Sequence, residues 1–233
     1  MWWVILISIL IPAIIIVIFV VIKIVSKIEH DRGDYNDGGG IHAGIDEHIP
    51  FFTPANDRAG IIGEKKTTYH LKPLLRNDEY LLTNLLLPLQ NGKKREIDCV
   101  LITRKGIFCI EIKNWVGHIS GNDEDEYWLQ RYDDPYWDDR RHKNPVKQNS
   151  WNCILLKREL NNQYRINNVV IFYNLEDRCG INSKYTYTVK QFKDHYRSLD
   201  SDAIPESYLS IIFEKLKQYI GTLEELQKHR KKN

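Results

Sequence analysis

Two apolar runs joined by a short polar turn constrain the fold of this 233-residue chain more than any other feature. They occupy residues 97–103 and 107–113, and Arg104-Lys105-Gly106 lies between them. Because side chains alternate across a strand and residues of both parities are apolar here, each strand has two apolar faces. Such strands are typical of a sheet that helices cover on both sides. The sequence therefore predicts a buried antiparallel hairpin within an α/β fold.

Three charged residues interrupt these strands. Asp98 lies near the beginning of the first strand, and Glu111 and Lys113 lie at the end of the second. By parity, Asp98 shares a face with Val100, whereas Ile97 lies on the opposite face. Because an antiparallel hairpin brings the beginning of one strand beside the end of the other, we expect Asp98 and Glu111 to lie close together.

Such charges are costly to bury unless they are paired or bind a metal ion. In a purely structural interpretation, Lys113 bridges Asp98 and Glu111 as an ion pair. In a catalytic interpretation, the two carboxylates bind a hard cation such as Mg²⁺, which keeps open positions for water and phosphate. Metal-assisted cleavage of a nucleic-acid backbone is our leading hypothesis.

The N-terminus predicts one transmembrane helix at residues 2–22, a run that is uncharged and overwhelmingly apolar. About twenty such residues span a bilayer as a helix. A cleaved signal peptide is the alternative, but no basic region precedes the run and no small-residue cleavage site follows it. Lys23 and Lys27 flank its C-terminal end. The positive-inside rule therefore predicts a single-pass protein of the cell membrane with the bulk of the chain in the cytoplasm.

The rest of the chain divides into three predicted parts. Residues 23–55 are polar and glycine-rich and predict a flexible cytoplasmic linker. Residues 56–200 predict one domain, and residues 201–233 an amphipathic helix, from about Pro205 to Leu226, with a basic tail. We expect that helix to pack on the domain, with pairing to a second copy, giving a homo-oligomer, as the alternative. Within the domain we predict a helix at 58–71, strands at 80–89, 97–103 and 107–113, a helix from Asn144 to about Leu160, and a strand at 168–173.

Several longer motifs of this domain resemble a known family. In chain order they are Gly63-Glu64, Glu96-Ile97-Asp98, the run from Gly106 to Trp115, Gly117-His118-Ile119, and Asn144-Pro145-Val146-Lys147-Gln148. Together they resemble the nuclease-related domain (NERD), a member of the PD-(D/E)XK nuclease superfamily, over roughly residues 58–160. A bare Asp…Glu-x-Lys is a weak pattern, whereas the longer string is specific.

This resemblance implies a restriction-endonuclease-like α-β-β-β-α-β core, in which helices flank a mixed sheet, and a Mg²⁺-dependent phosphodiesterase site. By position, Asp98 and Glu111 resemble the metal ligands, and Lys113 resembles the catalytic lysine. Glu64 resembles the acidic residue of the first helix, and Gln148 the polar residue of the later helix. Mn²⁺ is expected to substitute for Mg²⁺. Such a cation polarises the phosphoryl group and lowers the pKa of bound water.

Nucleic acid is the expected partner, with DNA favoured over RNA. The net charge of +2 is close to neutral, so affinity must come from local basic clusters. The best candidate cluster is Arg140, Arg141, Lys143 and Lys147, with an ordinary solvated surface as the alternative. The insertion-like segment 123–141 is strongly acidic and would repel phosphate unless it faces away. Its aromatic side chains either anchor the loop or stack on unpaired bases.

Two functions of different classes follow from these observations. The favoured one is a membrane-anchored, metal-dependent nuclease that loses cleavage when Glu111 or Lys113 is replaced by alanine. The alternative is a catalytically silent module that tethers nucleic acid or a protein at the membrane. Binding by such a module would need no metal ion and would be indifferent to Asp98→Asn.

Overall fold

The computed structural model of this chain describes residues 40–44, 55–134, 136–175, 180–200 and 203–230. They lie in a unit that spans Gly38–Asn233. The predicted membrane segment at 2–22 lies outside the described residues. Among the helices that the structure does describe, none combines the length and the apolar character needed to cross a bilayer.

The described residues form ten strands and five α-helices. The strands are β1 (Ile41–Ala43), β2 (Tyr80–Pro88), β3 (Lys94–Thr103), β4 (Gly106–Lys113), β5 (His118–Asn122), β6 (Tyr127–Arg131), β7 (Arg140–Lys143), β8 (Ile166–Phe172), β9 (Ile181–Asn182) and β10 (Thr186–Thr188). The helices are α1 (Ala55–Leu71), α2 (Pro145–Glu159), α3 (Val189–Ser198), α4 (Glu206–Lys217) and α5 (Leu223–Arg230). A short 3₁₀ helix, Lys72–Leu74, follows α1.

The predicted hairpin lies at the centre of a six-stranded sheet with the order β1-β2-β3-β4-β8-β10. β2, β3 and β4 are antiparallel neighbours, whereas β1, β8 and β10 join the sheet through parallel pairings. The sheet is therefore mixed, as predicted. The order α1-β2-β3-β4-α2-β8 contains the expected helices and strands. Residues 41–43, which we expected within the flexible linker, instead form β1 and pair with β2.

Helices cover both faces of the sheet, which explains why both parities of the hairpin are apolar. On one face, α2 and α4 pack through Leu156, Leu209 and Ile212 against a cluster that includes Val100 and Ile102. On the other face, α1 and α3 pack against the strand residues of the opposite parity. The buried side chains of this second cluster include Leu71, Phe192, Tyr196, Cys99, Leu101 and Phe108. The α/β prediction is confirmed.

The ladder between β2 and β3 is interrupted at one step. Pairing is regular on both sides of this step but skips Asn84, which stands opposite Asp98 in the register. Asn84 has φ of 58°, in the left-handed region that asparagine tolerates better than most residues. As a result, Ile97 packs in the same cluster as Val100. The parity prediction for Ile97 was wrong, because strict alternation assumes an uninterrupted strand.

The acidic segment 123–141 belongs to a second sheet, with the order β7-β6-β5-β9. Trp128 is only 1% exposed, and its indole nitrogen donates to the carbonyl of Asn122 at 2.9 Å. This tryptophan anchors the segment, in line with the first of the two predicted roles. Trp137 and Tyr136, by contrast, are exposed.

The C-terminal region holds two helices, α4 and α5, where we expected one. Between them, residues 219–221 align with the edge of β2, and the amide of Leu86 donates to the carbonyl of Tyr219 at 2.8 Å. Thr222 and Glu225 then form a reciprocal pair of side chain-to-backbone hydrogen bonds that begins α5. A Thr-x-x-Glu pattern is the sequence signature of such a capping box, and it could have been recognised.

Candidate active site

One open groove, with a volume of about 970 Å³, brings most of the predicted site residues together. Its lining includes Glu64, Asp98, Glu111 and Gln148. Lys113 lies beside it, where its ammonium donates to Glu111 Oε1 at 2.6 Å. These residues come from α1, β3, β4 and α2, so that the groove exists only when the sheet and its helices are assembled.

The predicted basic cluster is divided by the fold. Lys143 and Lys147 line the groove. Arg140 and Arg141 instead lie over aromatic rings. The Arg140 guanidinium is 5.8 Å from the ring centre of Tyr132, and the Arg141 guanidinium is 4.8 Å from that of Tyr127. The groove lining therefore includes these two lysines and neither of the two arginines.

A close contact between α1 and the end of β4 places Glu64. A Cβ atom on Gly63 would lie 2.6 Å from the Cβ of Asn114, a distance that side chains do not tolerate. The side-chain amide of Asn114 also donates to the carbonyl of Ala59 at 2.6 Å. Because Gly63 lets the helix approach the strand so closely, the next residue, Glu64, faces the same groove as Asp98.

The groove holds a surplus of negative charge around Asp98. Burial raises the pKa of the Asp98 carboxyl well above its ordinary value, and the carboxylates of Glu111 and Glu64 raise it further. The ammonium of Lys113 and a hydrogen bond of 2.8 Å from the amide of Ile112 to Asp98 Oδ2 oppose this shift. The opposing groups are outweighed, so an additional cation at this point would relieve electrostatic repulsion.

Lys113 remains protonated at neutral pH. Burial lowers the pKa of its ammonium, but the carboxylates of Glu111 and Asp98 outweigh burial, and the net pKa is raised. Its side chain is 18% exposed, while that of Glu111 is 5% exposed. The ion pair of the structural interpretation is therefore present with Glu111. A charged lysine can donate hydrogen bonds to an anion but cannot act as a base.

Two buried asparagines of α2, which sequence analysis did not identify, connect this helix to the sheet, and one of them contacts Glu111. Asn152 donates to Glu111 Oε2 at 3.3 Å and accepts a hydrogen bond of 2.9 Å from Arg95. Asn149 donates to the backbone carbonyl of Cys109 on β4 and to the backbone carbonyl of one residue on β8. Both asparagines are fully buried. The two asparagines are three residues apart on the apolar face of a predicted helix, and this pattern could have identified them from the sequence.

Asn144 joins α2 to the second sheet. Its side-chain oxygen accepts from the amide of Val146 at 2.9 Å, and so caps the helix, as predicted. Its side-chain amide donates to the carbonyls of Asn122, Asp123 and Asp125, at 2.8 to 3.1 Å. Because Asn144 is only 2% exposed, water cannot replace these bonds easily.

We expect Asn144→Ala to lower the free energy of unfolding by about 2–4 kcal/mol, since it removes a helix cap and leaves buried carbonyls unpaired. Asn144→Asp keeps the capping oxygen but places a carboxylate oxygen against the same carbonyls, so its cost should come from the lost donors and from repulsion between the oxygens. Denaturant unfolding of both variants would measure these differences. A loss below about 0.5 kcal/mol for the alanine variant would contradict the proposed role of Asn144.

A residue from the C-terminal helix also reaches the groove. The guanidinium of Arg230 lies 2.6 Å from Glu96 Oε1 and 3.2 Å from Glu64 Oε2. Arg230 lines the groove together with His229. The carboxylate that α1 provides is thus paired with a cation from α5, a contact that only the complete fold creates.

The carboxylates of Asp98 and Glu111 fit the ligand preferences of a hard divalent cation. Mg²⁺ uses one or two carboxylates and fills its remaining positions with water or phosphate. Besides burial, the neighbouring carboxylates of Glu111 and Glu64 raise the pKa of Asp98, as expected where carboxylates share one site. Over the described ranges, no group of three or more histidine, cysteine, aspartate or glutamate side chains is arranged to hold a metal ion.

Comparison with known proteins identifies the segment that carries these residues. A protein of Bacillus anthracis, described as uncharacterized, is 28% identical over 90 residues, which are 39% of this chain and 40% of that protein. The chain therefore matches less than half of the length of this relative. No solved structure matches the chain. The family model of the nuclease-related domain, NERD, matches residues 59–173, from α1 to the residue after β8. A nuclease-related domain is therefore present at residues 59–173 of this chain.

Proposed function

We propose that this protein is a metal-dependent nuclease of the PD-(D/E)XK type that hydrolyses phosphodiester bonds, with DNA as its polymer. The observation that carries the proposal is the pairing of carboxylates with a protonated lysine in one groove. Glu111 lies within 2.6 Å of the Lys113 ammonium, and Asp98 lies in the same carboxylate-rich surroundings. The groove rim adds Lys143 and Lys147, whose charge suits the phosphates on either side of a cleaved bond.

Asp98 and Glu111 would hold Mg²⁺ or Mn²⁺. When bound, the cation supplies a Lewis acid for the phosphoryl group and lowers the pKa of the attacking water. Lys113 donates hydrogen bonds to the phosphoryl oxygens, where negative charge develops in the transition state. Asn152 fixes the orientation of Glu111 through its hydrogen bond of 3.3 Å, and Arg95 fixes Asn152 in turn.

We also propose that residues 2–22 anchor this activity to the cell membrane with the groove in the cytoplasm. The support is the length of the apolar run and the two lysines that follow it. The nuclease would then act on nucleic acid that lies near the membrane.

Cleavage assays test the proposed reaction. The full chain in mild detergent would be offered labelled duplex DNA, single-stranded DNA and RNA, each with Mg²⁺, Mn²⁺ or EDTA. Cleavage that needs metal and disappears in Glu111→Ala is the expected result. Cleavage that persists in EDTA, or in the Glu111→Ala variant, would overturn the mechanism.

A silent binding module is the second candidate, because cations of the chain already pair with two of the carboxylates. Lys113 contacts Glu111, and Arg230 contacts Glu64. In such a module these ion pairs would be structural, and added metal would change nothing.

Thermal unfolding of Asp98→Asn separates the two candidates without measuring cleavage. We expect the variant to melt at least about 2 °C higher than the natural protein in EDTA, because it removes a carboxylate whose ionisation burial and neighbouring carboxylates oppose. Mg²⁺ should then raise the melting temperature of the natural protein but not that of the variant. Equal melting curves with and without Mg²⁺ or Mn²⁺ for the natural protein would favour the binding module.

A further inference from the structure

Trp151 is an exposed tryptophan on the wall of the groove. It lies on α2 and is 66% exposed, although an indole ring normally contributes large buried area to a protein core. It also lines the groove that contains Asp98 and Glu111. The ring is therefore open to contact with a molecule that enters the groove.

The helix α2 places this ring in line with other groove residues. Lys147 and Trp151 are four residues apart, so their side chains lie on the same face, one turn from each other. Gln148, three residues before Trp151, lines the groove as well. The lining also includes the exposed Lys93, and Lys94, whose ammonium is paired with Glu225 at 2.6 Å. Lys93 and Lys147 therefore bring positive charge to the groove that contains Trp151.

These groups match the parts of a nucleotide chain. Ammonium groups bind phosphates without regard to sequence, and an aromatic ring stacks on the flat face of a base. In an intact duplex each base face is covered by its neighbours, so a single ring can stack only on a base that is unpaired or at a frayed end.

We propose that Trp151 stacks on an unpaired base of the substrate, so that this groove takes single-stranded nucleic acid or strand ends in preference to intact duplex. This inference rests on the proposed function, since it names the form of nucleic acid that the same groove accepts. It assigns Trp151 to substrate binding and leaves the chemistry to Asp98, Glu111 and Lys113.

Trp137 provides a matched control on the same molecule. It is 52% exposed, and it packs against Tyr132 with a distance of 5.2 Å between ring centres. It lies in the acidic segment, outside the groove lining, and its ring centre is 5.9 Å from the guanidinium of Arg140. An effect specific to the groove should therefore appear for Trp151 and not for Trp137.

Binding measurements with the full chain test the inference independently of cleavage. All proteins would carry Lys113→Met to slow turnover, and fluorescently labelled single-stranded and duplex DNA of one sequence would be titrated in Mg²⁺ and in EDTA. We expect Trp151→Ala to weaken single-strand binding about tenfold or more and to change duplex binding less than about twofold. Trp151→Phe should retain most of the affinity, and Trp137→Ala should leave it unchanged.

A series of single strands, each with one abasic position, identifies the contact itself. For the protein that retains Trp151, one of these abasic positions should weaken binding as much as Trp151→Ala does. The same abasic position should cause no further loss of binding in the Trp151→Ala variant. Equal losses for single strands and duplex, an equal loss for Trp137→Ala, or no single-strand binding at all would overturn the inference. Binding with the expected pattern but without cleavage by the unmodified protein would overturn the proposed nuclease and leave the stacking role standing.

Discussion

Replacing Lys113 with methionine should lower the rate of phosphodiester cleavage by about 10²–10³-fold, the usual cost of removing one preorganised donor to a developing anion. Methionine keeps most of the aliphatic length and removes the charge. In the fold, the Lys113 ammonium is held by Glu111 at 2.6 Å, so its donor position is fixed before a substrate binds. Single-turnover rates with Mg²⁺ would measure the chemical step directly.

Lys93→Met is the matched control for this variant. Lys93 is an exposed lysine of the same groove, and its replacement should weaken binding modestly while leaving the single-turnover rate nearly unchanged. Circular dichroism would establish that both variants keep the fold. A Lys113→Met protein that cleaves at the natural rate would exclude the role proposed for this lysine.

Removing the chain after residue 200 should prevent native folding altogether. The deletion takes away α4 and α5, whose side chains at Leu209, Ile212, Leu216 and Leu226 are at most 1% exposed. Each such side chain contributes about 1.5–3 kcal/mol by burial, so four of them approach the whole stability of an ordinary domain. Soluble yield and the cooperativity of thermal unfolding would report the loss, although the NERD match itself ends at residue 173.

Two adjacent isoleucines refine this second prediction. Ile212 is 1% exposed and packs in the core, whereas Ile211 is 60% exposed. Ile212→Ala should lower the free energy of unfolding by about 2–4 kcal/mol, and Ile211→Ala by less than about 0.5 kcal/mol. A truncated chain that stayed folded and lost only self-association would instead favour pairing of the amphipathic helix with a second copy. That homo-oligomer stays a prediction.

The hairpin of β3 and β4 shows which features of the fold can be predicted from the sequence. Its apolar parity predicted helices on both faces, and the fold has them, because burial on two sides is the direct physical meaning of that pattern. The closeness of Asp98 and Glu111 followed from the turn at Lys105-Gly106 alone. The position of Ile97 did not follow, because the left-handed backbone at Asn84 depends on which strand lies opposite.

The contacts that sequence analysis missed span long stretches of chain. Arg230 pairs with Glu64, and Arg95 reaches Glu111 through Asn152. Periodicity reports which residues are buried but not which distant side chain meets them, so such pairs need the assembled fold. The contact between Arg141 and the ring of Tyr127 has the same cause, since it depends on the pairing of β7 with β6.

The short strand β1 sets a limit on distance. It begins at Ile41 and is fixed to β2, so at most residues 23–40 are available as a tether between the predicted membrane segment and the sheet. Fully extended, a stretch of that length reaches at most about 60 Å. If residues 2–22 lie in the bilayer, as we propose, the groove can meet only polymers that come within this distance of the membrane. Adding residues to 23–40 would then extend the reach without altering the groove.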